Sequence, residues 1–106
     1  MLESIDLSAI REKTETWGSS KVLFKSDKAE IGLFKCSPGK SMDMHKHKGL
    51  DEAIYVLEGN ASFEDERGQK DLGEGAAVFI PRDIAHKAFN KTSKDHVCLY
   101  IVSSLK

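Results

Sequence analysis

Between Lys21 and Val102 the chain is a series of short apolar runs, each closed by glycine, proline, asparagine, aspartate or serine. Short runs rich in β-branched and aromatic residues between such breakers predict strands rather than helices. The runs are Val22–Lys25, Glu30–Cys36, Met42–His47, Glu52–Leu57, Ala61–Glu64, Ala76–Ile80, Ala85–Asn90 and His96–Val102. Two of them, 52–57 and 97–102, are apolar on both alternating faces, as expected of strands with one face inward and the other against a second layer or subunit. Residues 58–60 (Glu-Gly-Asn) read as a tight hairpin turn, and residues 65–69 as a solvated polar hairpin tip. Pro81 ends the strand before it, because proline has no N–H for a ladder.

Ahead of these runs, Asp6 or Ser8 can cap a short helix through Ala9-Ile10-Arg11-Glu12-Lys13. The expected division is therefore an N-terminal arm over 1–20 and one all-β domain over 21–106, with no internal repeat or linker. At 106 residues the chain suits one core.

The chemistry-bearing residues fall in two stretches. In Gly39–Gly59, His45 and His47 are separated by one residue, and Glu52 follows. Side chains at i and i+2 of a strand share a face, so both imidazoles can aim at one point, with Met42, Met44 and Lys46 on the other face. Imidazoles plus a carboxylate form a ligand set for a first-row metal. In Gly75–Asn90, Pro81, His86 and Asn90 stand out, and His86, Ala88 and Asn90 share a face by the same period.

Together these stretches resemble the two motifs of the cupin family. Gly39, His45, His47, Glu52 and Gly59 fall on the first motif; Gly75, Pro81, His86 and Asn90 fall on the second. Asp83 stands where the family has glycine, which questions the local turn, although aspartate tolerates turn conformations. The resemblance implies an all-β fold, a double-stranded β-helix or jelly-roll barrel around a small pocket. It also implies that His45, His47, Glu52 and His86 bind one divalent metal, iron or manganese ahead of nickel, zinc or copper. Arg82 and Asn90 are weaker candidates for substrate binding; Lys46 and Tyr55 face away by parity, and no residue is assigned a catalytic role.

Composition bounds the partners. A formal net charge of −1 gives no electrostatic footprint for nucleic acid, and no apolar run approaches bilayer length. The acidic start, Met-Leu-Glu-Ser-Ile-Asp, is unlike a signal peptide, so a cytoplasmic location is expected. In that compartment Cys36 and Cys98 are expected to be reduced core thiols, the sequons at Asn60 and Asn90 carry no meaning, and His96 is expected to be an ordinary surface or strand histidine.

Three functions from different classes follow. The first is a metal-dependent enzyme acting on a small organic molecule, an oxygenase-type oxidoreductase ahead of an isomerase, decarboxylase or lyase. The second is a non-catalytic sensor or store of a small ligand. The third is a structural homodimer built on the two-faced strands.

Overall fold

The computed structural model describes residues 1–105. Nine strands follow a single 3-10 turn at Leu7–Ala9: β1 (Lys13–Glu15), β2 (Gly18–Lys25), β3 (Ala29–Cys36), β4 (Asp51–Glu58), β5 (Ala61–Asp65), β6 (Gly68–Leu72), β7 (Ala77–Ile80), β8 (His86–Phe89) and β9 (His96–Ser103). They form a six-stranded antiparallel sheet in the order β1-β2-β3-β9-β4-β7 and a three-stranded sheet in the order β6-β5-β8. No helix among the described residues is long and apolar enough to cross a membrane.

The inner face of the large sheet packs on the small one through Phe34, Ile54, Val56, Ala61, Phe63, Ile80, Ala88 and Cys98. Each large apolar side chain fully buried in this way contributes about 1.5–3 kcal/mol. Trp17 closes one end, its ring edge-on to Phe34.

Four expectations are corrected. Asp6 does cap the N-terminal turn, its Oδ1 accepting from the Ser8 N–H, but the turn is only three residues long. Residues 13–20, assigned to an arm, are paired into the large sheet through β1 and the start of β2. Residues 58–60 do not close a hairpin: β4 pairs with β7 and β9, and β5 with β6 and β8, so this turn carries the chain from one sheet to the other. Gly59 is needed there, with φ at +78° and a Cβ that would sit 2.6 Å from the Asp95 carbonyl. The polar tip at 65–69 is a true hairpin between β5 and β6.

The fourth correction concerns the first histidine pair. Residues 42–47 are not a regular strand; only Ser41 and His45 make ladder bridges, to Phe89 and His86. The pairing slips by one residue between those bridges. A slip of one exchanges the faces, so Met42, expected opposite the histidines, lines the same cavity as His45 and His47, while Met44 is exposed.

The outer face of the large sheet is apolar across five strands. One row runs Phe24–Ile31–Ile101–Ala53–Phe79 and the next Lys21–Leu33–Leu99–Tyr55–Ala77. Phe24, Tyr55 and Phe79 are each about two-fifths exposed. Among the described residues, Phe24 and Tyr55 stand open on this face.

His96 is wholly buried, with Phe34 packed edge-on against it, and neither ring nitrogen has a hydrogen-bond partner among the described residues. Burial lowers its pKa, outweighing the nearby Asn60 backbone and Asp95. A histidine held neutral binds fewer protons folded than unfolded, so stability is lost as pH falls below the free-imidazole range near 6.5. An unpartnered buried polar group costs about 1–3 kcal/mol. His96→Leu should therefore match or exceed the parent in denaturant midpoint at pH 8, and its advantage should grow at pH 5. A parent that gains on the variant as pH falls would contradict this account.

Candidate metal centre

The two motif stretches meet through backbone. The His45 N–H donates to the His86 carbonyl at 2.9 Å, and the His86 N–H returns to the His45 carbonyl at 2.8 Å. This doubly bonded antiparallel pair sets the two imidazoles side by side, ring centroids 4.4 Å apart. His47 stands 5.4 Å from His45 and 5.7 Å from His86. Glu52 arrives from β4, beyond a turn in which Gly49 takes φ +74°.

Asp83 explains how that turn is held without the family's glycine. It adopts φ +65°, the left-handed conformation that glycine would supply. Aspartate is among the few other residues that visit this region. Its Oδ1 then accepts from the Gly49 N–H at 3.0 Å, and its own N–H donates to the His47 carbonyl at 3.3 Å. The departure from the motif thus fastens the His47 turn to the His86 turn.

One ligand atom from each of His45, His47, Glu52 and His86 lies within 4.8 Å of every other. The two carboxylate contacts are His86 Nε2 to Glu52 Oε1 at 2.9 Å and His47 Nε2 to the same oxygen at 3.3 Å. Glu52 and His86 are buried; His45 and His47 are half-buried. Burial opposes ionisation of Glu52, but the bonds from His47 and His86 outweigh it and hold the carboxyl at about 2. Burial likewise opposes charging of His86, and the Glu52 bond outweighs it and raises the pKa.

The donor chemistry fits a cation. Nδ1 of His45 lies 2.9 Å from the Asp43 carbonyl, and Nδ1 of His86 lies 2.9 Å from the Ile84 carbonyl. A carbonyl only accepts, so each Nδ1 carries a proton, and a ring with that proton alone presents a lone pair at Nε2 to the cluster. Lone pairs and a carboxylate facing one another need positive charge between them, either protons or a metal ion. The four residues could hold such an ion, with a net charge of about +1 for a divalent cation.

The cluster opens on a cavity of about 580 Å³. Its apolar wall comes from Trp17, Phe34, Met42, Ile54 and Ala88. Its polar wall includes Tyr100, whose hydroxyl donates to Glu30 Oε2 at 2.5 Å, and Lys25, whose Nζ lies 3.7 Å from Glu30 Oε1. Burial raises the Tyr100 pKa, and the Glu30 bond adds to this, so the phenol keeps its proton. A smaller cavity of about 380 Å³ lies on the other side, under the β5–β6 hairpin.

The two weaker candidates serve other ends. Arg82 does not line the metal cavity; its Nη2 and Nε bond Asp51 at 3.1 and 3.3 Å, and its N–H bonds Asp51 Oδ1 at 3.0 Å. These Arg82 bonds, with the Leu105 N–H, hold the Asp51 carboxyl at about 2. Asn90 is buried, its Nδ2 donating to the Cys36 and Lys94 carbonyls and its Oδ1 accepting from the Thr92 N–H. Both residues secure backbone around the site.

A cupin-domain model matches residues 32–102. The chain therefore belongs to the cupin family, with β3 to β9 as the matched region. Among solved structures, the fold is similar to a predicted oxalate decarboxylase from Thermotoga maritima, with TM-score 0.85 and 23% identity over 97% of this chain and 100% of the other. It is similar to the polyketide cyclase RemF from Streptomyces resistomycificus, with TM-score 0.82 and 21% identity over 100% and 87%. An RmlC-like cupin from Shewanella frigidimarina gives TM-score 0.84 and 16% identity over 100% and 94%. No curated protein sequence matches the chain.

Sequence parity missed Tyr100 and Glu30, since neither belongs to a motif, and it missed Asp51. Replacing Asp51 by Ala should lower the denaturant midpoint while leaving bound metal per chain unchanged. Glu52→Gln should do the reverse, lowering metal content by elemental analysis with little loss of fold. Equal metal content in Glu52→Gln and the parent would remove Glu52 from the ligand set.

Proposed function

We propose that the protein is a metal-dependent enzyme acting on a small, oxygen-bearing organic molecule, as an oxygenase-type oxidoreductase using iron(II) or manganese(II). The observation that carries this reading is that four protein donors converge at one end of a cavity large enough for such a ligand. An ion with octahedral preference held by four protein ligands has two positions left for exogenous groups. The ion would supply Lewis acidity and, with iron, redox chemistry. His45 and His86 would present Nε2 in a fixed orientation, Glu52 would neutralise charge, and the apolar wall would keep water from the ligand.

Elemental analysis of the purified protein, followed by an oxygen-uptake screen against small hydroxy and keto acids, tests this. Oxygen consumption that requires iron or manganese and vanishes in His47→Ala at unchanged melting temperature is expected. Full turnover by metal-free protein would reject it. Turnover without oxygen uptake would move the assignment to isomerase or lyase chemistry.

A second reading concerns assembly. The exposed Phe24 and Tyr55 on the outer sheet face, with Ile101 and Leu99 on the strand between theirs, support a homodimer joined back to back, a self-complementary interface being the commonest symmetric solution. Tyr55→Glu should shift the species seen by analytical ultracentrifugation from dimer to monomer. A parent that sediments as a monomer at micromolar concentration would dismiss it. Cys36 and Cys98 are buried free thiols, pushed up by burial to about 11 and about 12.

A further inference from the structure

On the inner face of the large sheet, one cross-strand row reads Glu30–Val102–Glu52–Ile80, from β3 through β9 and β4 to β7. The adjoining row reads Val22–Gly32–Tyr100–Ile54–Val78. Tyr100 is thus the diagonal neighbour of both carboxylates, and its ring leans over Gly32 to reach Glu30 rather than Glu52. Gly32 has ordinary strand φ; its purpose is space. A Cβ there would stand 2.5 Å from the Tyr100 hydroxyl and 2.6 Å from the Lys21 carbonyl. Glycine weakens a strand interior, and a common reason for one is close approach of another group. Here that group is the phenol.

We propose that Tyr100 and Glu30 form a second subsite of the cavity, which binds a hydroxyl at the far end of a ligand whose oxygen-chelating end sits at the histidine cluster. The proposal rests on the reading of that cluster as a metal site. Glu30 and Glu52 stand two strands apart, which at strand spacing is roughly 9–10 Å. A chain of about five or six atoms spans that gap, so the class is a hydroxylated carboxylic acid of sugar-acid length. The Glu30 carboxylate accepts from the ligand hydroxyl, and the Tyr100 oxygen, its O–H donating a hydrogen bond to Glu30, offers lone pairs to a neighbouring hydroxyl. Lys25 beside Glu30 disfavours an ammonium group in the same place. At the rim the exposed Lys13 and Lys25 are paired with Glu15 and Glu30, so the negative charge of the acid is met at the histidine cluster by the metal ion.

Calorimetry with zinc-loaded protein tests the pair, using three compounds. Gluconate has both ends, hexanoate has the length without hydroxyls, and glycolate has the chelating end alone. Gluconate should bind the parent more tightly than either of the others. Tyr100→Phe, which keeps the ring against Phe34, and Glu30→Gln, near the strand end, should each weaken gluconate by about ten-fold, the equivalent of about 1.4 kcal/mol. Both should leave glycolate binding and metal content unchanged. Gluconate no tighter than glycolate, or equally tight in both variants, overturns the subsite while leaving the metal centre standing. A protein that takes up no zinc and binds neither acid overturns the metal reading and this proposal together.

Discussion

The constraint on which the structure turns is a buried carboxylate facing imidazole lone pairs. Glu52 is 6% exposed, and its neighbours within bonding reach are the Nε2 atoms of His47 and His86. Water cannot relieve such a group, so positive charge must be supplied on the spot. The fold is arranged to keep that demand in place. Backbone carbonyls at 43 and 84 fix the rings, the His45–His86 bridge fixes their separation, and β4 fixes the carboxylate by pairing on both edges.

Much of this was legible in the sequence because strand parity and motif spacing are local. Most of the strand runs, Pro81 as a terminator and the group His45, His47 and Glu52 follow from residues close together in the chain, whereas His86, 34 residues beyond Glu52, joins them through the motif resemblance. The pairing of β4 with β7 and β9 was not legible. Gly59 looks the same whether it closes a hairpin or carries the chain to another sheet, and only long-range packing decides. The slip between Ser41 and His45 is of the same kind: parity predicts faces only while the register holds, and Met42 lies where it breaks.

Arg82 and Asn90 show the other limit. Each lies in or beside a motif, and each has side-chain chemistry suited to a ligand, yet the fold uses both on backbone and on Asp51. Tyr100 and Glu30 lie outside the motifs and face the cavity. Sequence position relative to a motif records how a loop is built. What faces the ligand depends on which strands become neighbours, and β3 and β9 are separated by sixty residues of chain.

Asp83 has a mechanical consequence. Its side chain joins the loop before β4 to the loop before β8, next to the Asp51–Arg82 clasp and the His45–His86 bridge. Three fastenings therefore lie along one margin of the sandwich, while the opposite lip is edged by β1 with charges paired along their own strand, as in Lys13–Glu15. In a book the pages are bound at the spine, and here the four ligand-bearing residues sit at the bound edge.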